Sequence, residues 1–176
     1  MSAAAPNTDF VIYNIPQLAG VSLTPALLRE MLKNERCIGV KNSSMPIQDI
    51  EEFRAEGCLV FNGPDEQLLS GLVAGAVGGI GGTYGAMPEL YNKIYALVQE
   101  NRIGEARPIQ DDCLKIIQKL CSGHGNMYGM IKETLRINHG LDCGSVRAPL
   151  AELIEADLAI AQEAAEMIRT AIAKYC

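Results

Sequence analysis

Cys37-Ile-Gly-Val-Lys-Asn-Ser-Ser-Met-Pro-Ile-Gln-Asp-Ile-Glu-Glu-Phe-Arg-Ala-Glu-Gly-Cys-Leu-Val-Phe-Asn62 reads as a strand, a helix and a second strand. The apolar run from Cys37 ends in Lys41. Pro46 then opens a helix over 47–55, which Gly57 ends, and Cys58 to Asn62 forms the next strand. Neither apolar run is broken by alternating polar residues, as expected where a strand is buried on both faces.

The same punctuation recurs on either side of this stretch. Phe10-Val-Ile-Tyr-Asn-Ile is an apolar run stopped by Pro16, and Thr24-Pro25 cap and open a helix over 26–33. After Asn62, Asp65 is expected to cap a helix over 66–74. Val77-Gly-Gly-Ile-Gly81 follows as a fourth strand, and Pro88 opens a helix to about residue 101. Residues 10–101 therefore predict four βα units and, from their alternation, a parallel sheet with right-handed crossovers. A small, polar lead-in (1–9) precedes them. A helical extension (102–176) follows, with helices expected over 104–121, 126–139 and 149–174; Pro108 marks a late start or a kink in the first of these. Two architectures fit the pattern: an open doubly wound sheet, or half of a (β/α)₈ barrel. The half barrel would expose two apolar edges and call for a partner half.

Composition narrows the functional classes. Of 176 residues, 48% are hydrophobic and 20% charged, enough for a buried core, and there is no Trp. A net charge of −6 argues against a nucleic-acid partner, because phosphate binding needs a basic footprint. The six cysteines form no C-x-x-C pair and neither His has finger-like spacing, so a zinc site is not expected. The N-terminal residues lack a basic-then-apolar leader, and no apolar stretch approaches the roughly 20 residues of a membrane helix. The expectation is a soluble cytoplasmic protein with reduced thiols and no membrane partner.

In both architectures functional side chains gather at the carboxyl ends of the strands. Lys41 lies there, and with a period of two it shares a face with Cys37 and Gly39, opposite Ile38 and Val40. A lysine drawn into an apolar interior becomes a free amine able to attack a carbonyl; the ordinary alternative is a strand-end lysine reaching to solvent. Tyr13 holds the matching place in the first strand, where a phenol can relay a proton or simply pack. Asp65 and Glu66 start a helix, suiting either hydrogen bonds to a polyhydroxylated ligand or helix capping. Gly78-Gly-Ile-Gly-Gly82-Thr-Tyr-Gly85 is glycine-dense but departs from G-x-G-x-x-G and lacks a P-loop lysine, which leaves close backbone approach to a small ligand or a tight bend. His124 reads as a loop residue and His139 as the end of a helix. Met127, Met130, Ile131 and Leu135 read as a core stripe, and Glu152, Glu155, Asp157, Glu163 and Glu166 as a solvated face of the last helix.

Taken together, Tyr13-Asn-Ile-Pro-Gln-Leu-Ala-Gly20, Gly39-Val-Lys41-Asn-Ser-Ser44, Asn62-Gly-Pro-Asp-Glu66 and Gly78-Gly-Ile-Gly-Gly-Thr-Tyr84 resemble, in order and spacing, the N-acetylneuraminate lyase branch of the dihydrodipicolinate synthase/N-acetylneuraminate lyase family. The resemblance covers residues 10 to 153. It implies a TIM (β/α)₈ barrel with a C-terminal helical extension, and Schiff-base aldolase chemistry without a metal or other cofactor. In that reading Lys41 forms an imine with pyruvate and Tyr13 relays protons. Ser43, Gly63, Asp65, Glu66 and Gly82 lie at sugar-binding positions, with Gly82 where lyases often have a serine and Pro64 where a bulkier residue is common. The implied substrate is a 2-oxo sugar acid cleaved to pyruvate and an N-acyl hexosamine. Other implied possibilities are another pyruvate-dependent reaction of the family, or a non-catalytic sugar-acid-binding module. The family's Gly-Ser-Thr-Gly-Glu loop has no counterpart, so the chain resembles the C-terminal half alone. That half is expected to be poorly active by itself: it reads as a fragment, as a split-gene product that works with a separate N-terminal half-barrel chain, or as a half barrel that self-associates into a homo-oligomer.

Overall fold

The computed structural model describes residues 2–176; Met1, the first residue of the expected lead-in, lies outside the described residues. The chain divides into two compact units, one running up to Gly81 and the other Gly82–Cys176. The expected change from alternating to all-helical structure lay at residue 101, so the helix after Pro88 falls in the second unit. No helix among the described residues is long and apolar enough to cross a membrane.

The first unit is a four-stranded parallel sheet in the order β1-β2-β3-β4. Its strands are β1 (Phe10–Asn14), β2 (Cys37–Asn42), β3 (Leu59–Asn62) and β4 (Gly78–Gly79). The connecting helices are α1 (Pro16–Ala19), α2 (Pro25–Leu32), α3 (Gln48–Ala55) and α4 (Leu68–Val73). Local chemistry sets their starts: Thr24 Oγ1 accepts the Leu27 N–H at 3.2 Å, and Pro25 occupies the first turn of α2. Ile12, Val40 and Val60 stand in register on one side of the sheet. There Val40 and Val60 join Leu28, Ile50, Phe53, Ala74 and Ala76 in one buried cluster, with Ile12 packed against it. Fully burying a side chain such as Phe53 contributes about 1.5–3 kcal/mol.

Three local expectations are corrected. Phe10 pairs with Cys37 but Val11 with Gly39, leaving Ile38 without a partner strand residue. This bulge breaks the simple alternation, and Ile38 is 37% exposed while Val40 is fully buried. Asp65 does not cap a helix: it opens a 3₁₀ turn (Asp65–Gln67), and α4 begins at Leu68 without a side-chain cap. The four-residue α1, too short to show a helical period, went unread.

In the second unit, α5 (Pro88–Gln99), α6 (Ile103–Leu120), α7 (Met127–His139) and α8 (Glu155–Tyr175) pack together. Pro108 lies within the first turns of α6, which continues through it. Asn126 Oδ1 accepts the Tyr128 N–H at 2.9 Å to start α7, and Gly140 ends it with a left-handed φ of 68°. Ala161, Ala164, Ala165, Ile168 and Ala171 form the buried stripe of α8. That helix begins six residues later than the expected 149, after an irregular stretch. Asp157 is not on a solvated face but fully buried.

Candidate functional site

The carboxyl ends of β1, β2 and β3 carry two rows of side chains. Tyr13, Lys41 and Phe61 are register partners, followed by Asn14, Asn42 and Asn62. Successive residues of a strand point to opposite faces, so the first row lies on the open face and the second on the helix-covered face with Val40 and Val60.

On the open face the Lys41 Nζ lies 3.9 Å from the centroid of the Tyr13 ring. The ring face attracts an ammonium at this distance, which holds the flexible lysine stem against its strand neighbour. Lys41 is partly buried, while Tyr13 is 53% exposed. Gly39 lets β2 and β3 approach closely: a Cβ there would run into the Leu59 carbonyl oxygen and come within 2.9 Å of the Leu59 Cβ. Burial pushes the Cys37 thiol, on the same strand, above its ordinary range.

The loops that leave these strands are tied to the sheet. The Ser43 N–H donates to the Asn14 carbonyl at 2.8 Å, and the Gly63 N–H to the Asn42 carbonyl at 2.7 Å. Ser43 and Gly63 are thereby brought into contact. Any Cβ on Gly63 would collide with Ser43 Oγ and approach the Asn42 carbonyl oxygen to 2.6 Å, so only glycine fits there. Gln67 Nε2 donates to the Met45 carbonyl at 3.2 Å and links the third loop to the second. Within the third loop Asp65 is buried and Glu66 exposed. Gly82 opens the second unit, where a Cβ would press on Tyr128 Cε1 at 3.1 Å and Met127 Cε at 3.2 Å. Among the described residues, no group of three or more His, Cys, Asp or Glu side chains is arranged to hold a metal ion.

A parallel sheet with a lysine and a tyrosine side by side at its carboxyl end is the arrangement the four sequence motifs led one to expect, and comparison with known proteins decides the family. Residues 2–168 match the model of the dihydrodipicolinate synthetase family. The chain belongs to that family. Among its curated members, an N-acetylneuraminate lyase of Mediterraneibacter gnavus is 60% identical over 178 residues, covering 99% of this chain and 56% of the relative. Among solved structures, wild-type Ruminococcus gnavus sialic acid aldolase matches with a TM-score of 0.97 at 58% identity, covering 99% of this chain and 59% of that one. The N-acetylneuraminate lyase of Fusobacterium nucleatum matches with a TM-score of 0.84 at 31% identity, over 95% of this chain and 57% of that one.

This member of the family therefore spans little more than half the length of the relatives it matches. Its architecture is half of a TIM (β/α)₈ barrel with C-terminal helices, and the open doubly wound alternative falls away. The asparagine row had gone unnoticed as a set. Its signal was present, because each of the first three strands ends in asparagine, as Tyr13-Asn14, Lys41-Asn42 and Phe61-Asn62.

Proposed function

We propose that this chain carries the Schiff-base part of an N-acetylneuraminate lyase site. The observation that carries the reading is the Lys41 amine held over the Tyr13 ring at the carboxyl end of the sheet, in a chain 60% identical to a protein named as such a lyase. A solved relative 58% identical to this chain is described as a catalytic lysine mutant of sialic acid aldolase, which supports a lysine as the reacting group.

The Lys41 amine in its neutral form attacks the 2-oxo carbon of the opened sugar acid, and the Tyr13 hydroxyl gives its proton to the departing oxygen, so that water leaves and an iminium forms. The C3–C4 bond then breaks, its electron pair flowing towards the iminium nitrogen to form an enamine, while the C4 hydroxyl loses its proton and becomes an aldehyde. The Tyr13 oxygen, having given its own proton to the departing water, takes the proton of the C4 hydroxyl and returns it, directly or through water, to C3 of the enamine. Hydrolysis of the resulting imine releases pyruvate and frees Lys41. The iminium is the electron sink, so these steps need no metal. Ser43, the Gly63 backbone, Asp65 and Glu66 supply polar contacts for the hydroxylated chain of the sugar.

The relatives' greater length supports a further part of the reading: the remaining barrel strands cover the open face, where Tyr13 is 53% and Leu59 43% exposed. Those strands belong to a longer form of the chain or to a separate partner, and a second copy of this chain is the competing cover. The six free cysteines suit a reducing compartment, consistent with work in the cytoplasm.

Pyruvate with borohydride, followed by intact mass and peptide mapping, tests the reading. A reduced pyruvyl adduct is expected on Lys41, and none on Lys41→Ala. An adduct on another lysine, or none from a folded wild type supplied with the relatives' N-terminal half, would sink it.

A further inference from the structure

The helix-covered face of the site holds a row of buried amides. Asn14 is 4% exposed, and Asn42 and Asn62 are 0% exposed. Each faces the next in strict register. Asn14 Nδ2 donates to Asn42 Oδ1 at 2.7 Å. Asn42 Nδ2, a donor, and Asn62 Oδ1, an acceptor, come next along the row, and neither makes a hydrogen bond among the described residues. Buried polar groups are nearly always satisfied, and a bond from Asn42 to Asn62 would satisfy both atoms and continue the sense of the first. Gly71 of α4 lies against the Asn62 amide. A Cβ there would run into Asn62 Oδ1 and lie 2.7 Å from Cγ, so α4 keeps a glycine where the amide needs room.

Every amide in the row also holds the loop that follows its own strand. The Leu23 N–H donates to Asn14 Oδ1 at 3.1 Å and closes the first loop. Ser44 Oγ, at 2.9 Å from Asn42 Oδ1 and 2.5 Å from Asp49 Oδ2, fixes the second. Asn62 Nδ2 donates to the Pro64 carbonyl at 2.7 Å and fixes the third.

We propose that Asn42 is a positioning residue: through the Asn14–Asn42–Asn62 row it couples the three site loops, so that the contacts to the sugar end of the substrate are set as a unit. The part that concerns substrate rests on the lyase reading above; the coupling of the loops does not.

Two measurements on the whole chain separate these parts. The first is amide hydrogen exchange over 15–23, 43–46 and 63–67. Asn42→Leu removes the bond from Asn14 and the donor next to Asn62, and exchange should rise about tenfold in all three segments. Asn42→Asp keeps an acceptor for Asn14 and Ser44 but turns an oxygen towards Asn62, so only 63–67 should loosen. A rise confined to 43–46 in Asn42→Leu, or no rise over 63–67 in Asn42→Asp, overturns the coupling. Should Asn42→Leu fail to fold, the aspartate variant decides alone.

The second measurement is borohydride trapping with N-acetylneuraminate and with pyruvate. In Asn42→Asp the ratio of the two rates should fall about fivefold, because only the longer substrate spans the loops. Asn42→Gln, which keeps both amide functions, should recover part of it. A plain loss of stability would lower both rates together, and an unchanged ratio overturns the positioning role. No trapping of either compound in the wild type supplied with the relatives' N-terminal half would reject the lyase reading and the role towards substrate, leaving exchange to judge the coupling.

Discussion

In the sheet unit, Asn14, Asn42 and Asn62 are buried side by side, each offered by a different strand. In the helical unit, Asp157 is buried among donors drawn from two short backbone stretches. It accepts the N–H groups of His124 at 2.7 Å, Gly125 at 3.0 Å and Ile154 at 3.0 Å, with the His124 ring nitrogen at 3.2 Å. Those donors hold its carboxyl well below the usual range, at about 2. The asparagines join segments 28 residues apart and sit directly behind Tyr13 and Lys41. Asp157 pins the start of one helix to one loop. The difference teaches where buried polarity serves a site and where it serves a fold: the neutral amides can pass contact from strand to strand, whereas a single carboxylate gathers it inward.

The contrast predicts unequal responses to mutation. The largest should come from the helical core, where Ile168→Ala empties a fully buried position in α8 and is expected to cost about 2–5 kcal/mol in denaturant unfolding. A smaller loss would mean that the helical unit is as loosely covered as the open sheet face. Next is Gly63→Ala, expected to cost about 1–3 kcal/mol through the forced shift of Ser43 and the Asn42 carbonyl. It should also slow trapping of N-acetylneuraminate more than trapping of pyruvate, and an equal effect on both would detach this contact from the sugar end.

Asp157 makes a prediction about acid. Its folded carboxyl titrates at about 2 against an ordinary value of 3.8. Its contribution is therefore complete above about pH 4 and disappears as the pH falls through about 2. The unfolding midpoint of the wild type should drop more steeply across that window than that of Asp157→Asn, which lacks the contribution at every pH. Parallel curves would refute the assignment. The smallest effect is expected at Leu59, 43% exposed on the open face. Leu59→Ala in the chain alone should change stability by no more than about 0.5 kcal/mol. In the presence of the covering strands the same change should cost more, and that increment would measure the cover.

Much of this was legible in the residues. The four strands lie where apolar runs between glycines and prolines put them, and Tyr13 and Lys41 were readable because a two-residue period and a strand end are local properties. What escaped depended on partners far along the chain. Ile38 slips out of alternation because β1 pairs with β2 across a bulge, and nothing in its own neighbours announces that. Asp65 has the chemistry of a cap, but Gly63-Pro64 turns the backbone so that it opens a 3₁₀ turn. Asp157 looked solvated because its charge matches its helical neighbours, while two of the backbone donors that justify its burial, at His124 and Gly125, lie more than thirty residues earlier. The asparagine row was visible only as three separate dipeptides until register aligned them.

The bulge at Ile38 has a bearing on how such a chain can change over generations. In a strand, one inserted residue turns every later side chain over, and here it would exchange the lysine for an asparagine on the open face. An unpaired residue three positions before Lys41 gives the strand slack on its approach side. The turn between α2 and β2 can therefore gain or lose a residue, with the bulge taking up the difference, and descendants can vary in length there while inheriting the same lysine on the same face.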